Sequence, residues 1–157
     1  MTETHVQVEV KAKCSAKKLF SVMTRGASKL SKYAPKTVQN VQVLPGDGEI
    51  GVGSVFVWNY ILEGSVVMAK EELTSVDHKN MSLTCTIFDG ELTNHFKIFT
   101  RRFSVTPTQR DANYNCLVKW SVHYEKLHEH VPDPTYVNKW VEDFIKELDT
   151  NLLKEAE

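Results

Sequence analysis

From Asp133-Pro134 to residue 157 the chain contains no further glycine or proline, and its apolar residues recur at helical spacing. Asp133 suits an N-cap, and Pro134 suits the first helical position, where an absent N–H leaves no hydrogen bond unmade. One long amphipathic helix is predicted. Val137, Trp140, Val141, Phe144, Leu148 and Leu152 form its apolar stripe, with Lys139, Glu142, Asp143, Lys146 and Glu147 mostly off it. A stripe of that length has to be covered, and most of the chain upstream reads as strand.

Val6, Val8, Val10 and Ala12 alternate with Gln7, Glu9 and Lys11, the period of a half-buried strand. Ser15 is placed to cap a short helix in which Ala16, Leu19, Phe20 and Met23 recur until Gly26 interrupts them. A second short helix runs towards Tyr33 and ends at Pro35. Strands are then predicted over Val38–Leu44, Ser54–Tyr60, Ser65–Val76, Met81–Phe88, Phe96–Val105 and Cys116–Glu125. The links are the turn Pro45-Gly46-Asp47-Gly48, then Asp77 to Asn80, Asp89-Gly90 and Thr106 to Asn115. Links this short join neighbouring antiparallel strands. The order is strand, two short helices, six strands and one long helix, an α+β layout with the helices segregated from an antiparallel sheet. Seven strands covering one helix must curve, and a sheet bent round a helix leaves space for a ligand between the two.

At 157 residues the chain fits one domain, 1–157, able to bury roughly 70% of its unfolded surface. A formal net charge of −1 leaves no basic excess for phosphates, so nucleic acid is not the expected partner. The polar start Met1-Thr2-Glu3-Thr4-His5 lacks a signal-peptide apolar run, and no stretch of 18 apolar residues would cross a bilayer. Cys14, Cys85 and Cys116 are odd in number and widely spaced, which suits a reducing cytosol.

Gly46, Gly48, Gly51 and Gly53 lead into a strand, with no Gly-Lys-Ser/Thr following, so they read as a structural turn and not a phosphate loop. His123 falls opposite Trp120 and Tyr124 on its strand, and His128 and His130 fall in a loop. Neither H-E-x-x-H nor cysteine pairs occur, so no metal is expected. Glu71 is the unusual residue. It shares its strand face with Val67, Ala69 and Leu73, which turns a carboxylate inward, where it needs a partner or a task. Arg101 likewise shares its face with Phe99, Phe103 and Val105. Unless a bulge turns one of them outward, the two either pair or together grip a polar group of a ligand.

The chain resembles the major latex protein branch of the plant birch-pollen-allergen superfamily over almost its whole length. The resemblance is carried by Gly51-Val52-Gly53-Ser54-Val55 running into Trp58-Asn59-Tyr60, by Ala69-Lys70-Glu71-Glu72, and by Tyr124-Glu125-Lys126-Leu127 followed by Glu129, Val131 and Asp133-Pro134. It implies a helix-grip fold and a cytosolic plant protein that binds hydrophobic metabolites such as sterols, hormones or alkaloid-like molecules without a cofactor. Three readings follow. In the first, a carrier holds a small apolar ligand between walls of Phe56, Trp58, Phe99, Trp120, Trp140, Val141 and Phe144, with Tyr60, Tyr124, Glu71 and Arg101 orienting it. In the second, an isomerase or cyclase uses Glu71 or Tyr124 to move a proton while Arg101 steadies an oxyanion. A hormone-dependent signalling module is a third.

Overall fold

The computed structural model describes residues 4–46, 50–108 and 114–156. Its elements in chain order are β1 (Thr4–Ala12), α1 (Ala16–Met23), a 3-10 turn (Ala27–Lys29), α2 (Leu30–Tyr33), β2 (Val38–Leu44), β3 (Val55–Leu62), β4 (Ser65–Asp77), β5 (Ser82–Gly90), a second 3-10 turn (Glu91–Asn94), β6 (Phe96–Pro107), β7 (Cys116–Lys126) and α3 (Tyr136–Ala156). This is the α+β helix-grip fold, with a seven-stranded antiparallel sheet in the order β1-β7-β6-β5-β4-β3-β2 curved round α3.

Alternation builds the sheet's inner face. Phe56 and Trp58 on β3, Ala69, Glu71 and Leu73 on β4, Leu83 and Cys85 on β5, Phe99, Arg101, Phe103 and Val105 on β6, and Val118, Trp120 and Tyr124 on β7 are all buried. α3 presents Val141, Phe144, Ile145, Leu148 and Leu152 to that face, each fully or almost fully buried. Each such side chain contributes roughly 1.5–3 kcal/mol. The sheet bends where one strand carries a residue more than its neighbour, as at Gln39, Thr74, Phe88 and Lys97.

The long helix begins later than its sequence suggests. Asp133 is not its cap. Its carboxylate takes the Tyr124 hydroxyl at 2.9 Å and the Lys126 ammonium at 2.8 Å, and helical structure starts at Tyr136. Ser15 does cap α1, accepting from the Lys18 amide at 3.1 Å. Of the glycine-rich turn before β3, Asp47 and Gly48 lie outside the described residues. Gly53 adopts φ +99°, and its amide donates to the Leu73 carbonyl, so this segment is a turn feeding the strand.

The last turns of α3 tie the smaller elements down. Asp149, 9% exposed, accepts from the backbone amides of Lys13 and Cys14, both at 2.8 Å, where β1 runs into α1. Glu147 accepts from the Lys36 amide and the Thr37 hydroxyl, both at 2.9 Å. Asn151 donates to the Tyr33 carbonyl at 2.6 Å, and Glu155 accepts the Tyr33 hydroxyl at 2.8 Å.

Candidate functional site

Register brings Glu71 and Arg101 together. Glu71 lies across from Phe56 on β3 and Ile87 on β5, while Arg101 lies across from Cys85 on β5 and Val122 on β7. Two strand irregularities flank Glu71 and leave it facing inward. Phe88 is the extra residue on β5 and stands out at 51% exposure, and Thr74 is the extra residue on β4. Gly90, at φ +112°, completes the offset. A Cβ there would meet the Met68 carbonyl oxygen at 2.2 Å, so the strand can pass only as glycine.

The two charges form an ion pair with 1% and 5% of their surfaces exposed. Arg101 Nη2 donates to Glu71 Oε1, and Arg101 Nε donates to Oε2 at 3.2 Å. The Trp58 indole donates to Glu71 Oε1 at 2.7 Å, and Nη2 also approaches Cys85 Sγ at 3.5 Å. The guanidinium lies over the Trp120 ring, 4.7 Å from its centroid, a favourable cation–π geometry. Burial works against the Arg101 charge, but the Glu71 carboxylate beside it more than offsets this and holds the guanidinium above its ordinary pKa. Arg101 Nη1 is buried and, among the described residues, has no hydrogen-bond partner.

Beside the pair lies a chamber of about 80 Å³ bounded by Trp58, Tyr60, Glu71, Phe99, Arg101, Trp120 and Trp140 from the predicted set. Leu62, Ala69, Ile87, Leu92, Val122, Tyr136 and Val137 complete it. The remaining predicted residues stand elsewhere. Phe56, Val141 and Phe144 are packed in the core and do not border the chamber. Phe144 stacks on Trp140 at 5.0 Å and meets Trp58 and Trp120 edge-on at 6.0 and 6.2 Å, filling space that would otherwise enlarge the chamber. Tyr124 packs against Phe96 with its hydroxyl on Asp133, so it neither orients a ligand in the chamber nor reaches the ion pair.

Tyr60, Leu62, Leu92 and Tyr136 border both the chamber and a groove of about 780 Å³ that opens outward between the β3–β4 turn, the Glu91–Asn94 turn and the loop before α3. Burial pushes the Tyr60 hydroxyl well above its ordinary pKa, and the Tyr136 hydroxyl is raised for the same reason, with Glu91 adding to both. Val122 was readable from the alternation that places Trp120 and Tyr124 inward. Leu92 and Tyr136 were not, because each sits in a segment whose turn geometry follows from tertiary packing.

All three cysteines are free and buried, and burial, with Asp149 beside it, pushes the Cys14 thiol up to about 12, away from nucleophilic use. Among the described residues no three His, Cys, Asp or Glu side chains gather as metal ligands would, and no helix is long and apolar enough to cross a membrane.

An apolar chamber between a curved sheet and a gripping helix, with one neutralised ion pair in its wall, is the architecture of a small-molecule-binding helix-grip domain. The chain belongs to the Pathogenesis-related protein Bet v 1 family, whose pattern it matches over residues 1–155. It is 30% identical to MLP-like protein 43 of Arabidopsis thaliana over 151 residues, 96% of this chain and 93% of that one. It is 32% identical to MLP-like protein 34 of the same plant over 98% of its own length, spanning 48% of that longer protein. Its structure resembles crystalline ginseng major latex-like protein 151 from Panax ginseng, with a TM-score of 0.83, 26% identity and coverage of 96% of this chain and 97% of that one.

Proposed function

We propose that this protein holds one small, largely apolar plant metabolite of terpenoid, steroid or alkaloid type, with part of the molecule in the chamber and the rest in the outer groove. The observation that carries this reading is that the two spaces adjoin, with Tyr60, Leu62, Leu92 and Tyr136 lining both. A chamber of about 80 Å³ is smaller than the roughly 300–1,000 Å³ that whole ligands occupy, so a molecule seated there extends outward.

Holding is favoured over turnover because the carboxylate best placed to act as a base already accepts from Arg101 and Trp58. That arrangement suits fixing a charge in place more than removing a proton from a bound molecule. Three free thiols suit residence in a reducing compartment, here the cytosol. Native mass spectrometry against a panel of terpenoids, steroids and alkaloid intermediates, with each mixture analysed for products, tests the reading. Bound, unaltered ligand supports it. A product that forms only with protein replaces it with an acid–base isomerase or cyclase, and no binding across the panel rejects it.

A further inference from the structure

We propose that the far end of α3 carries a second binding site, a basic groove that takes a phosphate group bearing at least two negative charges. The site is separate from the chamber and does not depend on the holding reading.

Between Glu9 and Asp47 the chain carries eight of its 19 lysines and arginines and no aspartate or glutamate, although the whole chain has a net charge of −1. Charge is therefore segregated, and an array of like charges without counter-charges points to an anionic partner. The fold concentrates that array. Lys17 and Lys18 on α1, Arg25 beyond its end and Lys29 in the Ala27–Lys29 turn border one groove of about 430 Å³, which also takes in Leu152 and Glu155 of α3. Among the described residues none of these four cations pairs with a carboxylate.

One anion already stands at the groove. The Glu155 carboxylate accepts from the Tyr33 hydroxyl at 2.8 Å and lies 3.3 Å from the Lys32 ammonium. It occupies Lys32 and leaves the other four cations unmatched, so a singly charged guest would still leave an excess of positive charge. Like charges gathered round one concavity repel one another, and a compact group with several anionic oxygens relieves that repulsion best. A phosphate ester has that shape and, near neutral pH, that charge.

Position decides what such binding can do. Leu152 and Glu155 lie roughly 20–30 Å along α3 from Tyr136 and Val137, which border the chamber. A phosphate held at one end of the helix therefore does not obstruct the chamber at the other.

The test titrates inorganic pyrophosphate, with acetate as the singly charged comparison, into the full chain at neutral pH and low salt. Pyrophosphate is expected to bind at least about tenfold more tightly than acetate, and to weaken as salt rises through about 0.1 M, where screening acts over the width of the groove. Lys18→Gln with Arg25→Gln should weaken pyrophosphate about tenfold, the scale for losing two exposed charge pairs. Glu155→Gln should tighten it about threefold to fivefold, because the resident carboxylate no longer competes and Lys32 is released. Glu142→Gln makes the same change in net charge, about 20 Å away along α3, and should leave affinity within about twofold.

Vesicles of phosphatidylcholine with about one-fifth phosphatidic acid separate the two sources of the phosphate. Sedimentation with them, reversed by pyrophosphate, supports the inference and assigns a lipid headgroup. Pyrophosphate binding without sedimentation supports it and assigns a soluble phosphate ester. Vesicle binding that pyrophosphate cannot displace overturns it, because that reports a charged surface and not a groove. Pyrophosphate binding that is absent, no tighter than that of acetate, or unaltered in the double variant also overturns it, as does equal tightening by Glu155→Gln and Glu142→Gln.

Discussion

The two halves of α3 do different work. From Glu147 onward the helix reaches out to the backbone or side chains of Lys13, Cys14, Tyr33, Lys36 and Thr37, using Glu147, Asp149, Asn151 and Glu155 in turn. Between Tyr136 and Phe144, by contrast, its side-chain hydrogen bond to the rest of the domain among the described residues is that of the Trp140 indole to the Thr37 carbonyl, at 3.3 Å. That first half borders the chamber and the groove. One helix thus anchors the fold with polar ties at one end and offers an apolar, lightly tied face at the other, where a ligand's shape must be accommodated.

The division can be broken from the cavity side first. Arg101→Met strands the buried Glu71 carboxylate and is expected to cost about 3–5 kcal/mol in urea unfolding, most of it regained when Glu71→Leu is added. If the single variant costs less than about 1 kcal/mol, the pair is not held in the desolvated state that the site requires. Asp149→Ala attacks the anchored half. Losing two charge-assisted bonds to backbone amides should cost about 3 kcal/mol while leaving ligand affinity nearly unchanged, and an equal loss of affinity would show that the two halves are coupled. Trp140→Phe removes the cavity half's tie and should cost about 1 kcal/mol, with a measurable change in ligand affinity because the ring borders the chamber.

The smallest effect is set by pH. The Tyr33 hydroxyl, and then Lys32, hold the Glu155 carboxyl below its ordinary value of 4.5. A carboxyl lowered on folding contributes its stabilisation fully above the ordinary value and loses it as pH falls through the lowered one. The protection factors of the α2 amides, that is their exchange corrected for its intrinsic pH dependence, should therefore fall below pH 4.5, and Glu155→Gln should flatten that response.

Much of this contrast was legible in the sequence, and the illegible part has a physical cause. Alternation placed Glu71 and Arg101 inward because a period of two leaves little choice of face, and the flanking bulges preserved it. The stripe of α3 is visible in the sequence, yet the burial of Ile145 and Asp149 is not. Asp149 looks like one more surface acid, and only the path of the β1–α1 link gives it two amides to cap. Asp133 resembled a helix cap, but Tyr124 and Lys126 compete for its carboxylate and win. Chamber volume was not legible at all, since whether Phe144 and Trp140 line a space or fill it depends on their mutual stacking and not on their order in the chain.

The sheet order places the first strand, β1, beside the last, β7, with Thr4 opposite Tyr124. During synthesis β1 therefore has no partner until β7 has been made, and the Lys13 and Cys14 amides wait longer still for Asp149. Closing contacts so distant in sequence makes folding slow, because loop-closure entropy is spent before the contacts that repay it. A chain released before α3 emerges would carry a complete set of strands and nothing to grip, an aggregation-prone product that chaperones would have to shield.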